Sequence, residues 1–382
     1  MIKNIKINNY KCFQNFEIKD FKRINIFVGD NNSGKTSLLE ALALLDPKTF
    51  KQKNKFIFMI CKARVGIRVD LNNIVYSLKK LFNDYSIFFN ERNIEKSIFI
   101  EADFNSSKKN SKSDFAVKFE NKIIDEVVHF PKGKRDSDSI KLLQHILNIS
   151  KSILASYKFS NKKNLLELGV SSIGTYDNDV EGFDDFDVIF KKINDGEDVV
   201  KNWTQIINQN GVKIEEKFVK LLQNFDGDIE AIRANQDELD FYKKNPENKK
   251  SPFVIPLSSM GEGFKRFFDI VITLELMNKN NKPQILCIDE IDNGLYYDKQ
   301  DLFWAQIIKL CEEKNIQLFA TTHSYEALQS ILECGTKLYP KKGEFDDVFN
   351  ISKLIKFENE IKCFRYNQAL LNARIENQME TR

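Results

Sequence analysis

The eight residues from Gly29 to Thr36, reading Gly-Asp-Asn-Asn-Ser-Gly-Lys-Thr, constrain this chain more than any other stretch. Glycine at both ends of a short loop lets successive backbone N–H groups curl around a phosphate, with a lysine to reach the β- and γ-phosphates and a hydroxyl to hold Mg²⁺. The flanks agree with that reading. Arg23 to Val28 is short, apolar and β-branched, as a buried strand should be, and Ser37 to Leu45 carries leucines and alanines at helical spacing. A glycine-containing turn is the alternative, but it would not require strand, loop and helix in that order. The expected nucleotide-binding residues are therefore Asn31, Asn32, Ser33, Gly34, Lys35, Thr36 and Ser37, with ATP and Mg²⁺ as cofactors and Thr36 as a metal ligand.

Composition then limits the setting. With 382 residues, 42% hydrophobic and 12% aromatic, the chain can bury one large core or two modest ones. A balance of 58 basic against 55 acidic side chains, net +3, neither demands nor excludes nucleic acid, because phosphate contacts depend on local patches. The six cysteines form no Cys-x-x-Cys pair, which predicts free thiols in a reducing compartment. Apolar runs such as Phe56 to Ile60 are far too short to cross a bilayer, and the N-terminal residues lead straight into strand-like sequence. The expectation is a cytoplasmic protein with no membrane partner.

Along the chain, residues 2 to 28 alternate apolar and polar side chains and predict three short strands ending at the phosphate loop. Strand signals return at Arg64 to Leu71, Ser97 to Phe104 and Phe115 to Phe119, which predicts an antiparallel β layer. From about Asp136 the period becomes helical, at Ile140, Leu143, Ile146 and Leu147, again at Trp203, Ile206 and Ile207, and at Phe218, Leu221 and Leu222. That predicts a helical insertion, and the lack of sustained heptads excludes a long coiled-coil arm. Its acidic loop, Asp177 to Asp187, lacks calcium-loop spacing and reads as a solvated loop. Basic clusters at Lys108, Lys109 and Lys112 and at Lys132, Lys134 and Arg135 could touch nucleic-acid phosphates or simply be solvated. Gln284 to Ile288 and Gln317 to Ala320 look like buried parallel strands that complete the sheet begun before the phosphate loop. The expected fold class is α/β with a mixed central sheet, divided into 1–135 (lobe with the phosphate loop and β layer), 136–250 (helical insertion) and 251–382 (second half of the nucleotide-binding sheet).

Three further segments belong with the phosphate loop. Ile285 to Ile288 ends in Asp289 and Glu290, an apolar strand delivering two acids to the crevice at its carboxyl end. Asp289 is suited to hold Mg²⁺ through water and Glu290 to polarise the attacking water. Ser258-Ser259-Met260-Gly261-Glu262-Gly263 precedes a helix with Phe264, Phe267, Phe268, Val271 and Leu274 on its apolar face. A serine and two glycines there can form an anion site, though an ordinary serine N-cap is the simpler reading for that segment alone. Thr321-Thr322-His323-Ser324 follows the next strand, where a histidine can sense the γ-phosphate. The other histidines, His129 and His145, have no such context.

Taken together, the phosphate loop, the Ser-x-x-Gly-x-Gly signature, Asp289-Glu290 followed by Ile291 to Leu295, and the Thr-Thr-His-Ser segment resemble the ABC-type P-loop ATPase head of OLD-like proteins, a group often labelled AAA family ATPase. RecF and the SMC heads are more distant relatives by the same motifs. Tyr366 to Leu371 is similar to the group's closing helix. The resemblance implies ATP hydrolysis and two heads sandwiching two ATP molecules, hence a homo-oligomer of at least two chains. Ser259 and Gly261 would contact γ-phosphate in trans, and Asp292 to Leu295 would run across the seam. It also implies an antiviral defence role. OLD-like enzymes continue into a Toprim nuclease domain, and the stretch after Ser324 is too short for one, so a separately encoded Toprim-like or other nuclease effector and a phage protein trigger are expected. This sequence departs from the pattern at Tyr296, where histidine is common, and no glutamine can be assigned to the Q-loop. A RecF-like DNA-repair ATPase and a nucleotide-locked scaffold that does not hydrolyse stay open as alternatives.

Overall fold

A computed structural model describes residues 1–45, 98–105, 112–123, 151–159, 162–168, 187–191, 199–235, 238–248, 251–277, 284–358 and 360–377. The strand expected at Arg64 to Leu71, the helical pattern at Ile140 to Leu147, His129 and His145 lie outside the described residues. So do the basic residues Lys108, Lys109, Lys132, Lys134 and Arg135, and nearly all of the acidic loop from Asp177. The chain divides into two compact units, each assembled from separate segments.

The first unit comprises Met1–Phe21, Glu40–Val188 and Lys356–Lys362. Its sheet contains β1 (Ile2–Tyr10), β2 (Phe13–Ile18), β4 (Ile98–Asn105), β5 (Lys112–Ile123), β6 (Lys151–Phe159) and β7 (Lys162–Leu168), in the order β2-β1-β4-β5-β6-β7. Every neighbouring pair in that order is antiparallel. Alternating side chains put Ile5 and Ile7 of β1 and Phe16 and Ile18 of β2 in the core, and Ile5 lies opposite Ile18. The alternation slips once near the start of β1, because the register to β4 shifts between Ile2 and Asn4.

The second unit comprises Lys22–Leu39, Ile189–Ile355 and Cys363–Arg382. Its main sheet runs β15-β14-β3-β13-β12-β8, with β3 at Ile24–Val28, β8 at Asp187–Lys191, β12 at Gln284–Ile288, β13 at Ile316–Thr321, β14 at Phe349–Phe357 and β15 at Glu360–Tyr366. Strands β12, β13, β3 and β14 are mutually parallel neighbours. β3, β12 and β13 are buried along their whole lengths, which is why they read as mostly apolar runs, the buried Asn25 and Gln317 donating to backbone carbonyls. The sequence did not reveal β14, whose apolar residues Phe349, Ile351, Leu354 and Ile355 follow no strict alternation.

The helices are α1 (Lys35–Ala43), α2 (Val199–Asn210), α3 (Val212–Leu222), α4 (Glu262–Leu276), α5 (Tyr297–Glu313), α6 (Tyr325–Leu338), α7 (Glu344–Val348) and α8 (Gln368–Glu376), of which α5 packs on β13 and α2 and α3 pack around α4 and a small additional sheet. This small antiparallel sheet, in the order β11-β10-β9, is formed by β9 (Ile229–Asn235), β10 (Glu238–Lys243) and β11 (Phe253–Pro256). An aromatic cluster ties these parts to α4. Trp203 of α2 meets Phe218 of α3 edge to face at 5.1 Å, and Phe241 of β10 meets Phe268 of α4 at 5.3 Å.

The helical expectation for 136–250 needs correcting. Helices occupy 199–222, where Trp203, Ile206 and Phe218 do face the core, but 151–168 forms β6 and β7, and 229–243 forms β9 and β10. For β6 the reason is non-local: it pairs with β5, setting Ala155 opposite Phe119 and Tyr157 opposite Val117, and no local periodicity encodes such a partner, whereas β7 pairs with β6 and β10 with β9 as local hairpins. Among the described residues the longest helix is α5, with 17 residues, and no helix is long and apolar enough to cross a membrane.

Candidate active site

The parallel order β3-β13-β12 decides the site's geometry, because it brings the carboxyl ends of three strands side by side. β3 leads into the phosphate loop, β13 into Thr322 and His323, and β12 into Asp289 and Glu290.

The loop's curl is written in its backbone. Gly29, Asn32 and Gly34 all have positive φ, at 138°, 66° and 94°. At Gly29 a side chain is also sterically impossible, since a Cβ would lie 2.2 Å from the carbonyl oxygen of Leu354 on β14. Ser33, Lys35 and Ser37 are buried, whereas Asn31 and Asn32 are exposed. The Lys35 ammonium donates to the carbonyls of Gly29 at 2.7 Å and Asp30 at 2.8 Å. Burial pulls its pKa below the ordinary lysine value, against the attraction of Asp289, Asp30 and Glu290.

Thr36 and Asp289 are 253 positions apart in sequence, yet the Thr36 hydroxyl donates to Asp289 Oδ2 at 2.9 Å. These are two hard oxygen donors side by side. Among the described residues no group of three or more His, Cys, Asp or Glu side chains is placed to hold a metal alone. A hydroxyl plus one carboxylate is nonetheless what a magnesium ion requires when phosphate oxygens and water complete its octahedron, so the donor set fits Mg²⁺ carried on a nucleotide.

Glu290 occupies the left-handed region at φ 47°, an unusual conformation for a residue with a side chain. His323 is half-buried, and Lys35, Glu290, Asp292 and Asp289 are its electrostatic neighbours. Burial lowers its pKa, Lys35 lowers it further, and the three acids oppose the shift. Ser324, the next residue, caps α6 by accepting from the Ala327 N–H at 3.0 Å.

Ser259 and Gly261 sit differently. Ser258 and Ser259 lie in a short 3₁₀ turn, Leu257–Ser259, and Gly261 is the N-cap of α4 with no side-chain cap hydrogen bond. The serine-cap alternative therefore does not describe this helix start. Both residues are exposed, and none of the hydrogen bonds among the described residues joins them to the phosphate loop. The same helix start closely approaches the loop after β12: a Cβ on Gly263 would lie 2.5 Å from the Gly294 carbonyl oxygen.

Sequence reasoning passed over Arg266 and assigned no role to Thr321. The Arg266 guanidinium, on α4, donates to the Asp289 carbonyl at 2.9 Å, and burial lowers its pKa against Asp269, Asp289, Asp292 and Glu290. An arginine beside the apolar stripe Phe264, Phe267 and Phe268 was its available signal. Thr321 touches both acids of the β12 exit, and although it opens the Thr-Thr-His-Ser segment, nothing in the sequence paired it with them.

A strand, a glycine-bounded loop closing on a buried lysine, and a threonine in the first turn of the following helix bonded to an aspartate at the end of β12 define a P-loop nucleotide-binding protein. Comparison with known proteins makes this specific. The AAA ATPase domain profile matches residues 1–327, and the chain belongs to that family. It is similar to an ATP/GTP phosphatase of Helicobacter pylori, 24% identical over 356 residues that cover 86% of this chain and 87% of that protein. A shorter similarity, 34% over 86 residues, covers 22% of this chain and 21% of the DNA replication and repair protein RecF of Clostridium kluyveri. Among solved structures, an Smc head domain from Pyrococcus furiosus superposes with a TM-score of 0.49 at 10% identity, covering 99% of each chain. The protein is an ATPase of the AAA/ABC type.

Proposed function

We propose that this ATPase uses ATP as an adhesive between copies of itself and hydrolysis as the release step. The observation that supports this is the asymmetry of the nucleotide motifs. Lys35, Thr36 and Asp289 are gathered within one chain, while Ser259 and Gly261 stand on an exposed, uncapped helix start. A helix N-terminus offers free N–H groups and a positive dipole end to an anion, here the γ-phosphate held by a second copy. Moving an association equilibrium from 1:99 to 99:1 takes about 5.5 kcal/mol. Charge-assisted hydrogen bonds net about 1.5 to 3 kcal/mol each, so two to four contacts to the γ-phosphate suffice. ADP offers none of them.

In this reading Lys35 binds the β- and γ-phosphates, and Thr36 and Asp289 would hold Mg²⁺, which supplies charge neutralisation on the phosphates. Glu290 orients and deprotonates the attacking water, and His323 hydrogen-bonds the terminal phosphate. The loop Asp292 to Leu295 lies along the seam. The biological role that the OLD-like motif order supports is a sensor and scaffold in anti-phage defence, acting through a separate Toprim-like or other nuclease effector and triggered by a phage protein. The test is size-exclusion chromatography of Glu290→Gln with ATP, ADP and no nucleotide. Association with ATP alone supports the adhesive reading, and an elution position independent of nucleotide refutes it.

A second reading, a DNA-binding repair ATPase, is favoured by the local similarity to RecF. Binding of duplex DNA by the protein alone, weakening steeply with salt, would establish it in place of the effector reading.

A further inference from the structure

We infer that Thr321 is the positioning residue of this site, the one side chain that aims both acids of the β12 exit. The inference rests on the reading of Asp289 and Glu290 as the metal-binding and water-activating residues. Thr321 closes β13 and is fully buried. Its hydroxyl donates to Asp289 Oδ1 at 2.6 Å and accepts the Glu290 N–H at 2.7 Å, while its carbonyl accepts the Ile291 N–H at 3.0 Å. One residue of β13 thereby holds three consecutive residues of the neighbouring chain exit.

The consequences for each acid differ. Asp289 has one carboxylate oxygen taken by the Thr36 hydroxyl and the other by Thr321, so the plane of the carboxylate is fixed from both sides. A single hydroxyl contact would leave it free to rotate. Glu290 stands at φ 47°, a conformation that persists only where the surroundings impose it, and the hydroxyl that captures its N–H is part of that imposition. Because φ and ψ of Glu290 set the direction of its Cα–Cβ bond, loss of the Thr321 hydroxyl redirects the side chain without touching it.

The adjacent hydroxyl does something else. Thr322 donates to the carboxylate of Asp292 and accepts the Ser324 N–H at 3.0 Å, linking the loop after β12 to the backbone that carries His323. Neighbouring side chains on extended backbone project oppositely, so the two threonines cannot substitute for each other.

The experiment compares wild type with Thr321→Val, which keeps the shape and removes the hydroxyl, and Thr321→Ser, which keeps the hydroxyl. The first readout is the Mg²⁺ concentration giving half-maximal binding of a fluorescent ATP analogue, and the second is kcat against KM. Thr321→Val should need about tenfold more Mg²⁺ for binding and lose roughly 10- to 100-fold in kcat, the usual range when a partner of a metal ligand is removed, with Thr321→Ser within about twofold of wild type. Should the valine variant fail to fold, Thr321→Cys, whose thiol is a weak donor and acceptor, replaces it with the same expectation. Wild-type Mg²⁺ dependence and kcat in Thr321→Val overturn the inference, and so does a loss in Thr321→Ser as large as that in Thr321→Val, which would show that keeping the hydroxyl does not keep the function and assign the effect to packing around the side chain. Glu290→Gln run in parallel separates the two levels. If it is inactive while Thr321→Val behaves as wild type, only the inference falls, and if Glu290→Gln hydrolyses ATP normally, the reading beneath it falls as well.

Discussion

The phosphate loop and the start of α4 carry the same kind of chemistry, glycines and hydroxyls around an anion, but the structure treats them in opposite ways. At the loop, Lys35 is buried among carbonyls and Thr36 is bonded to Asp289, so the polar groups already have partners within the chain. At α4, Gly261 heads a helix with no side-chain cap, Ser259 is exposed, and a Cβ placed on Gly261 would meet nothing within 4 Å. A buried polar group without partners is costly, whereas an exposed one is satisfied by water until something better arrives. The contrast teaches that one half of the site is preorganised and the other is presented.

Perturbing the preorganised half should have the largest effects. Glu290→Gln should lower kcat by about 10² to 10⁴-fold while nucleotide binding survives, measured by phosphate release and analogue binding. Lys35→Ala should weaken nucleotide binding by roughly 10- to 100-fold, because a charge-assisted contact worth about 1.5 to 3 kcal/mol disappears. If Lys35→Ala binds ATP as well as wild type, the loop is not the half that grips.

On the presented half the expected signature is selective. Ser259→Glu should abolish ATP-dependent association by facing the γ-phosphate with a like charge, yet change unfolding free energy by no more than about 0.5 kcal/mol, as an exposed site should. A large stability loss would erase the comparison. Gly263→Ala sharpens it from the other side. Its Cβ would sit 2.5 Å from the Gly294 carbonyl, so a loss of about 1 to 3 kcal/mol in thermal or urea unfolding is expected even though the glycine lies next to the exposed residues.

The smallest effect concerns the far end of α4. Burial disfavours the Glu275 carboxylate, but hydrogen bonds from Lys217 and Lys314 outweigh it, and its pKa lies below the ordinary 4.5. A carboxyl depressed by folding contributes stability that is present above its unfolded pKa and lost as pH falls through its folded one. The melting temperature should therefore drop below about pH 4.5, and Glu275→Gln should flatten that part of the profile.

Much of the fold was legible because local rules governed it. β3, β12 and β13 are short, apolar and β-branched, and the structure places them as buried parallel neighbours. The strands β6 and β14 were not legible, since each pairs with a strand remote in sequence, and β7 follows only as the hairpin partner of β6. The site divides in the same way. Lys35 and Thr36 announce themselves by spacing, whereas Thr321 became visible only when β13 brought its hydroxyl to Asp289 and Glu290.

Sequence alone thus determined the covalent neighbourhoods: a loop with glycines where the backbone must turn left-handed, a lysine at its base, two acids after an apolar run and a histidine after another. Spacing within a few residues is enough to specify these, because backbone sterics and strand or helix period act over that range. Tertiary structure decided which of these neighbourhoods meet. Strand pairing and helix packing act between residues hundreds of positions apart, so only the folded sheet order could bond Thr36 to Asp289 while leaving Ser259 facing solvent.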